Sequence, residues 1–230
     1  MRTTSCRRAR GFTLMEMAVV LVIIALIIGG VTVGRDVYRS AVAERIGSDF
    51  VQGWMLTYER YVAQVGGVPG DDIAAPTGRI NKGTPLCGDA LRNAMLEHGI
   101  SLPSGRAEGF ESHYVYQDAE GLPQNLEVCF RSVEDWAVPA PGGLYKKSPR
   151  NVMVLSGLTP ELARQIDGRI DGRIDARFGT VREMNYHNVT SAAAGAPVEN
   201  PWSKSDTDRR GGSAPDGQVI TVDAYIKMSR

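Results

Sequence analysis

The sequence predicts an α+β protein in which one long N-terminal helix packs, through its second half, on a small and mostly antiparallel β-sheet head. An apolar run of helical length covers residues 12–34, and an amphipathic four-residue period extends it to residue 65. Short strand-like segments separated by turn residues fill the head, residues 66–230. With 230 residues, 43% of them hydrophobic, the chain can form one globular domain plus an additional element.

The first element is a basic leader, residues 1–11. It contains four arginines and no acidic residue. The whole chain has 26 basic and 26 acidic side chains, so removal of the leader leaves 22 basic and 26 acidic ones, a net charge of −4. A mildly acidic product has no general electrostatic reason to bind nucleic acid, and no such partner is expected.

The second element, residues 12–34, is predicted to cross a membrane. Glu16 is its only charged residue, and 23 residues of helix at 1.5 Å each span about 34 Å. The positive-inside rule places the leader in the cytoplasm and the head outside it. From hydropathy alone, a simple signal anchor is an equally good interpretation, and a secretory signal peptide has a similar basic and apolar order.

The boundary between these elements reads Arg10-Gly11-Phe12-Thr13-Leu14-Met15-Glu16. It resembles the prepilin peptidase signal of type IV pilins and type II secretion pseudopilins, over about the first 60 residues. In that family the peptidase cuts after the glycine, the new N-terminal residue is methylated, and the fifth residue is glutamate. The resemblance implies cleavage between Gly11 and Phe12, methylation of Phe12, an assembly role for Glu16 and a pilin-like fold.

The same resemblance implies where the protein acts and with which partners. The precursor is expected in the inner membrane as a single-pass protein with a periplasmic head, and later in a pilus or secretion pseudopilus. Expected partners are the prepilin peptidase, other pilin or pseudopilin subunits, membrane lipid, and the inner-membrane assembly platform with its ATPase. The expected product is a structural subunit without cofactor or catalysis, minor or accessory because of its length. A ligand-binding pilin for adhesion or DNA uptake is the alternative.

Glu16 has a physical reason to matter for assembly. An unpaired charge in a bilayer costs several kcal/mol. Cleavage creates an α-amino group at Phe12, and the carboxylate of a staggered neighbour can neutralise it, which would fix the axial register. The alternative is an acid near a helix start, which complements the macrodipole and contributes at most about 1 kcal/mol.

The third element, residues 35–65, continues the helix with one apolar face. The segment Gly66-Gly67-Val68-Pro69-Gly70 predicts its end. Many pilins have a proline midway along this helix, and here Gly29, Gly30 and Gly34 occupy that stretch instead. These glycines allow either local melting or close helix packing.

The head is predicted to contain two short helices, several strands and one polar surface loop. The helices are expected at residues 87–98 and from Pro160, the latter capped by Thr159 or Ser156. The strands are expected at residues 112–117, 126–133, 151–155, 181–186 and 218–228, and the loop at residues 191–217.

Three cysteines give a simple expectation. Cys6 leaves with the leader, whereas Cys87 and Cys129 lie in the part predicted to be outside the cytoplasm, where disulfides persist. A bond between these two would contribute roughly 3–4 kcal/mol in the chain-entropy model. Two free thiols are the alternative. Neither cysteine has a second Cys or His two to four residues away, the spacing typical of zinc sites.

A local repeat of period four, Ile-Asp-Gly-Arg, begins at residue 166 and aligns Asp167, Asp171 and Asp175 on a predicted helix. Three aligned carboxylates suggest calcium, but the pattern does not match an EF-hand loop. A solvated helix with an apolar isoleucine stripe is the simpler interpretation. The three histidines are isolated in sequence, and neither a nucleophile elbow nor a phosphate-binding loop is present, so the sequence offers no catalytic site.

Overall fold

The computed structural model describes residues 12–190, 200–211 and 217–229. It confirms the predicted α+β class, with a long N-terminal helix followed by a six-stranded antiparallel sheet and two further helices. The chain divides into two compact units, residues 1–41 and residues 42–230. The second unit contains the sheet and the whole hydrophobic core.

The N-terminal helix is continuous over 52 residues, Leu14–Val65. It consists of α1 (Leu14–Arg45), one π-helical stretch (Ile46–Val51) and α2 (Gln52–Val65). Gly66 ends it in the left-handed conformation, with φ of 82°, and donates its N–H to the carbonyl of Val62 at 3.0 Å. Glycine adopts this conformation without the steric penalty of a Cβ. The predicted helix end is therefore confirmed.

The π-helical stretch lies where the helix enters the core of the head. Ile46, Gly47, Phe50 and Val51 are all buried there. A Cβ on Gly47 would lie 3.2 Å from a guanidinium nitrogen of Arg169, a tight contact, so the absence of a side chain at Gly47 gives Arg169 room to cross the helix. Arg169 then forms an ion pair with Glu44.

The sheet has the strand order β1-β3-β4-β6-β5, and β2 pairs separately with β3. All pairs are antiparallel. The strands are β1 (Leu86–Cys87), β2 (His113–Gln117), β3 (Pro123–Ala140), β4 (Leu144–Leu158), β5 (Val181–Glu183) and β6 (Val222–Lys227). Two helices complete the head, α3 (Gly88–Leu96) and α4 (Pro160–Asp171).

The two longest strands extend well beyond their predicted bounds. β3 and β4 form a hairpin around the turn Pro141–Gly143, with a register shift between Val133 and Trp136. The predicted strands at 181–186 and 218–228 are shorter in the structure. Thr159 caps α4 as predicted, since its hydroxyl oxygen accepts the N–H of Leu162 at 3.4 Å.

The main core lies between α2 and one face of the sheet. Trp54 and Tyr58 of α2 are fully buried, and their rings lie 6.2 Å and 5.2 Å from the Phe130 ring of β3. Because successive strand residues face opposite sides, the other face carries a second, smaller cluster. That cluster contains Val133, Trp136, Val152, Val154 and Tyr225.

The predicted surface loop at 191–217 is only partly described, since residues 191–199 and 212–216 lie outside the described residues. The described part corrects the expectation at two positions. Asn200 and Trp202 are buried, at 4% and 5% exposure. Trp202 belongs to the main core, so this segment covers the head rather than standing free of it.

Candidate processing and assembly site

The described part of the predicted cleavage motif begins at Phe12, because Gly11 lies outside the described residues. Phe12 is 79% exposed. It precedes the first helical residue, Leu14, by two positions. The residue predicted to carry the new α-amino group therefore lies just outside α1.

Thr13 and Glu16 form a reciprocal cap at this start. The backbone N–H of Thr13 donates to Oε2 of Glu16 at 2.8 Å, and the backbone N–H of Glu16 donates to the Thr13 hydroxyl oxygen at 3.2 Å. The Thr13 hydroxyl also donates to Oε2 at 2.9 Å. This is the capping box of a Thr-x-x-Glu sequence, in which two orphan helix donors are satisfied together. The role of Thr13 was not predicted, although the three-residue spacing of Thr13 and Glu16 indicates such a cap.

The cap uses only one oxygen of the Glu16 carboxylate. All three local hydrogen bonds involve Oε2 or the Thr13 hydroxyl. Within the described residues, Oε1 has no hydrogen-bond or ion-pair partner. The cap thus orients the carboxylate while one oxygen stays available to a donor from another molecule.

The apolar residues that follow are exposed along the helix. Leu14, Leu21 and Leu26 expose 92%, 66% and 72% of their area, and the most apolar 18-residue window of the helix has no buried residue. A Cβ added to any of Gly29, Gly30 or Gly34 would meet no atom within 4 Å. Such a contiguous apolar surface marks contact with lipid or protein. The helix is long and apolar enough to cross a membrane, a property it shares with signal sequences.

The three aspartates of the repeat have separate structural roles, and the predicted helix does not reach the third. α4 ends at Asp171 because Gly172 adopts a φ of 71°. Asp171 then accepts the N–H groups of Thr180 and Val181, both at 2.8 Å. Asp175 accepts those of Arg177 and Phe178.

These three carboxylates do not converge on one point. Within the described part of the chain, the one group of three His, Cys, Asp or Glu ligand atoms within 4.8 Å of one another consists of Cys87, Glu127 and Cys129. Because α4 ends at Asp171, the interpretation of residues 166–177 as one continuous helix is wrong. The calcium hypothesis at Asp167, Asp171 and Asp175 stays a prediction.

Asp167 is the unusual member of the three, because it is fully buried. Its Oδ2 accepts the N–H of Asp175 at 2.8 Å and the indole N–H of Trp202 at 3.2 Å. Its Oδ1 has no partner among the described residues. Burial raises the pKa of Asp167 to about 7, and the nearby charges of Asp171 and Asp175 add to the increase.

A pH dependence of stability follows from this shift. The unfolded carboxyl ionises near its ordinary pKa of 3.8 and the folded one near about 7. The folded state therefore binds more protons in this interval, and the free energy of unfolding decreases as pH rises through it. Replacement Asp167→Asn should remove this decrease and stabilise the protein above pH 7 by a few kcal/mol, since one pKa unit corresponds to about 1.4 kcal/mol.

The measurement is denaturant-induced unfolding, followed by tryptophan fluorescence, at about pH 5 and about pH 8. Most of the decrease in the free energy of unfolding falls between these two pH values. The exposed acid Asp89 offers a matched control, because Asp89→Asn should keep the wild-type difference between the two pH values. An Asp167→Asn variant with that same difference would show that this carboxyl does not cause it.

Two histidines that are isolated in sequence gain carboxylate partners in the fold. His187 Nε2 lies 2.9 Å from Asp135 Oδ1, and its Nδ1 lies 2.5 Å from the carbonyl oxygen of Met184. These contacts hold the segment after β5 against the second, smaller cluster, where the rings of His187 and Tyr225 lie 5.0 Å apart. His113 Nε2 lies 3.8 Å from Glu127 Oε1 across the β2–β3 pair.

The predicted cysteine pair is also brought together. Cys87 and Cys129 face each other across β1 and β3, with Cα atoms 4.5 Å apart, and their sulfurs form a disulfide. The separation in sequence is 42 residues. The bond ties the start of α3 and its preceding loop to β3.

Comparison with known protein families identifies the N-terminal region. Residues 6–32 match the family described as the prokaryotic N-terminal methylation motif, the signature of type IV pilins and pseudopilins. The match covers the predicted cleavage position, the capping box and most of the apolar run. Comparisons with curated proteins and with solved structures found no match. The motif indicates a structural subunit rather than an enzyme, and together with the exposed apolar helix it fits membrane anchoring.

Proposed function

We propose that this methylation-motif protein is a prepilin that is cut between Gly11 and Phe12, methylated at Phe12, and assembled into a type IV pilus or a type II secretion pseudopilus. The observation that carries the proposal is the motif itself, at residues 6–32, joined to an apolar helix with an exposed surface. A subunit that is first anchored in the lipid bilayer and then packs against other subunits would need both the motif and the apolar helix.

The exposed helix supports both stages. Phe12 and the large apolar side chains that follow it in α1 are exposed. At roughly 25 cal/mol per Å², such a surface is stable only when lipid or protein covers it. We propose that the leader lies in the cytoplasm and the head in the periplasm before assembly, as the arginines of the leader favour.

The cap supports a register function for Glu16. Thr13 holds one carboxylate oxygen, and the other has no partner in the described residues. In a staggered filament, the α-amino group of a neighbouring Phe12 would bind that oxygen. A subunit in the wrong axial position would leave both charges unpaired in an apolar environment, which costs several kcal/mol.

The partners follow from this path. A prepilin peptidase cuts and methylates the precursor, and an inner-membrane platform with its cytoplasmic ATPase drives the subunit out of the bilayer. The chain that remains after removal of residues 1–11 is longer than many major pilins. This length favours a minor or accessory subunit.

Processing gives the direct test. Mass spectrometry of the protein purified from cells that contain a prepilin peptidase should find methylated Phe12 at the N-terminus and no leader. Replacement Gly11→Leu should block cleavage, because a small residue is needed at the cut, and the full leader should remain. Gly30→Ala is the matched control, since the space around Gly30 is open and cleavage should proceed. A wild-type protein that keeps its leader, or is cut elsewhere, would contradict the proposal.

A further inference from the structure

Four side chains with metal-binding atoms form a two-by-two array on one face of the sheet. Cys87 of β1 faces Cys129 of β3, and His113 of β2 faces Glu127 of β3. Cys129 and Glu127 are two residues apart in the same strand, so their side chains lie on the same face. That face is the one opposite the buried side chains of Val128 and Phe130.

The donor atoms of this array are close together in the disulfide form that the structure shows. The sulfurs of Cys87 and Cys129 and a carboxylate oxygen of Glu127 all lie within 4.8 Å of one another. Glu127 Oε1 lies 3.9 Å from the Cys129 sulfur and 3.8 Å from His113 Nε2. The other ring nitrogen of His113 lies 3.0 Å from the Ser112 hydroxyl, which orients Nε2 toward the glutamate.

The chemistry of the donors selects the ion. Two thiolates and one carboxylate suit a borderline-soft divalent cation of the zinc class, whereas calcium and magnesium prefer oxygen ligands alone. All three ligand residues are half-buried, so a cation can reach the site from solvent. The disulfide removes both thiolates and therefore closes this site.

We propose that the head holds a redox-gated metal site, in which reduction of the Cys87–Cys129 bond lets Cys87, Cys129 and Glu127 bind one zinc-class divalent cation. His113, whose Nε2 lies 3.8 Å from Glu127 Oε1, flanks this site. The chain carries either the disulfide or the cation. The cation form belongs to chains whose disulfide has not formed or has been reduced.

In the experiment below, a water-soluble phosphine is the two-electron reductant of the Cys87–Cys129 disulfide. The S–S bond breaks, phosphorus is oxidised to the phosphine oxide with an oxygen from water, and the two protons of that water end on the two sulfurs. Binding of the cation then displaces both thiol protons, since thiolates are the ligands.

The test is a titration of the full-length chain, in detergent and with Cys6→Ser, by Co²⁺ after phosphine reduction. One equivalent of Co²⁺ should bind with a sulfur-to-metal charge-transfer absorption, and Zn²⁺ should displace it. The oxidised chain should show no such band. Equal binding by the oxidised chain, or no band in the reduced one, would overturn the proposal.

One pair of variants tests the ligand role of Glu127. Glu127→Gln should weaken binding about tenfold or more, whereas Glu134→Gln on the same strand should not. Unchanged affinity in Glu127→Gln would overturn the site.

Reduction also removes a stabilising bond, so circular dichroism follows the fold in the same titration. If the reduced chain loses its signal, one equivalent of Zn²⁺ should restore it, because a cation that binds only the folded state stabilises that state. A reduced chain that neither stays folded nor recovers with Zn²⁺ would overturn the proposal as well.

Discussion

Replacement Glu16→Ala is expected to leave cleavage after Gly11 intact and to abolish filament assembly. The carboxylate is the only charge between residues 12 and 34, so nothing else in this stretch can neutralise the amine of a neighbouring Phe12. An uncompensated charge in an apolar interface costs about 3–5 kcal/mol. Because every 1.4 kcal/mol is a factor of ten, each subunit contact would weaken by about two to three and a half orders of magnitude.

Two further variants distinguish the charge from the cap. Glu16→Gln keeps an oxygen that can accept the Thr13 N–H but has no charge, and it should fail to assemble. Thr13→Val removes the capping hydroxyl but keeps the charge, and its cost of about 1 kcal/mol should leave filaments in reduced number. Electron microscopy of sheared surface fractions counts the filaments, and mass spectrometry confirms processing. Wild-type filament numbers from Glu16→Gln would show that Glu16 acts through helix capping alone.

The largest loss of stability is expected from Trp54→Ala. Trp54 is fully buried between α2 and the sheet, its ring lies 6.2 Å from that of Phe130, and its indole N–H donates to the carbonyl of Glu111 at 3.1 Å. Truncation of a buried tryptophan leaves a cavity and costs about 3–5 kcal/mol. Unfolding by denaturant, followed by circular dichroism, measures this loss.

Two variants serve as comparisons for Trp54→Ala. Trp54→Phe keeps most of the apolar contact but leaves the Glu111 carbonyl without its donor, so it should cost about 1–3 kcal/mol. Leu56 lies two residues away on the same helix and is 50% exposed. Leu56→Ala should therefore stay near the wild-type stability, within about 0.5 kcal/mol. A similar loss in Leu56→Ala and Trp54→Ala would contradict the packing shown by the structure.

The long helix was predictable because its signals are local. The apolar run, the four-residue period and the glycine at position 66 each act within a few residues of the chain, and the observed helix ends at Val65. The cap of α4 by Thr159 is local in the same sense. The capping box at Thr13 was equally local and was missed because the motif was interpreted for its processing chemistry alone.

The sheet was less predictable because its pairing is not local. The hairpin of β3 and β4 includes Pro139 and Pro149 and a run of charged residues, and this composition is typical of a loop. The two segments form strands because they pair with each other over twelve residue pairs, although their local composition does not favour strand structure. The array of Cys87, Cys129, Glu127 and His113 likewise exists only after three strands have paired, so no spacing in the sequence indicates it.

The repeat at residue 166 shows how one glycine changes an interpretation. Gly168 and Gly172 occupy equivalent positions in the period-four pattern, yet only the second adopts positive φ and ends α4. The decision depends on tertiary contacts, since Asp171 and Asp167 accept N–H groups from the chain that follows. Sequence alone treats the two glycines as the same.

β6 lies between β4 and β5 in the sheet, although β5 precedes it in sequence. During synthesis, β5 therefore has no strand to pair with until Val222–Lys227 has left the ribosome. Until then the β4 edge that β6 will cover is unpaired, and such an edge can pair with another chain. A truncation before residue 222 would make this exposed edge permanent and leave β5 without its partner strand.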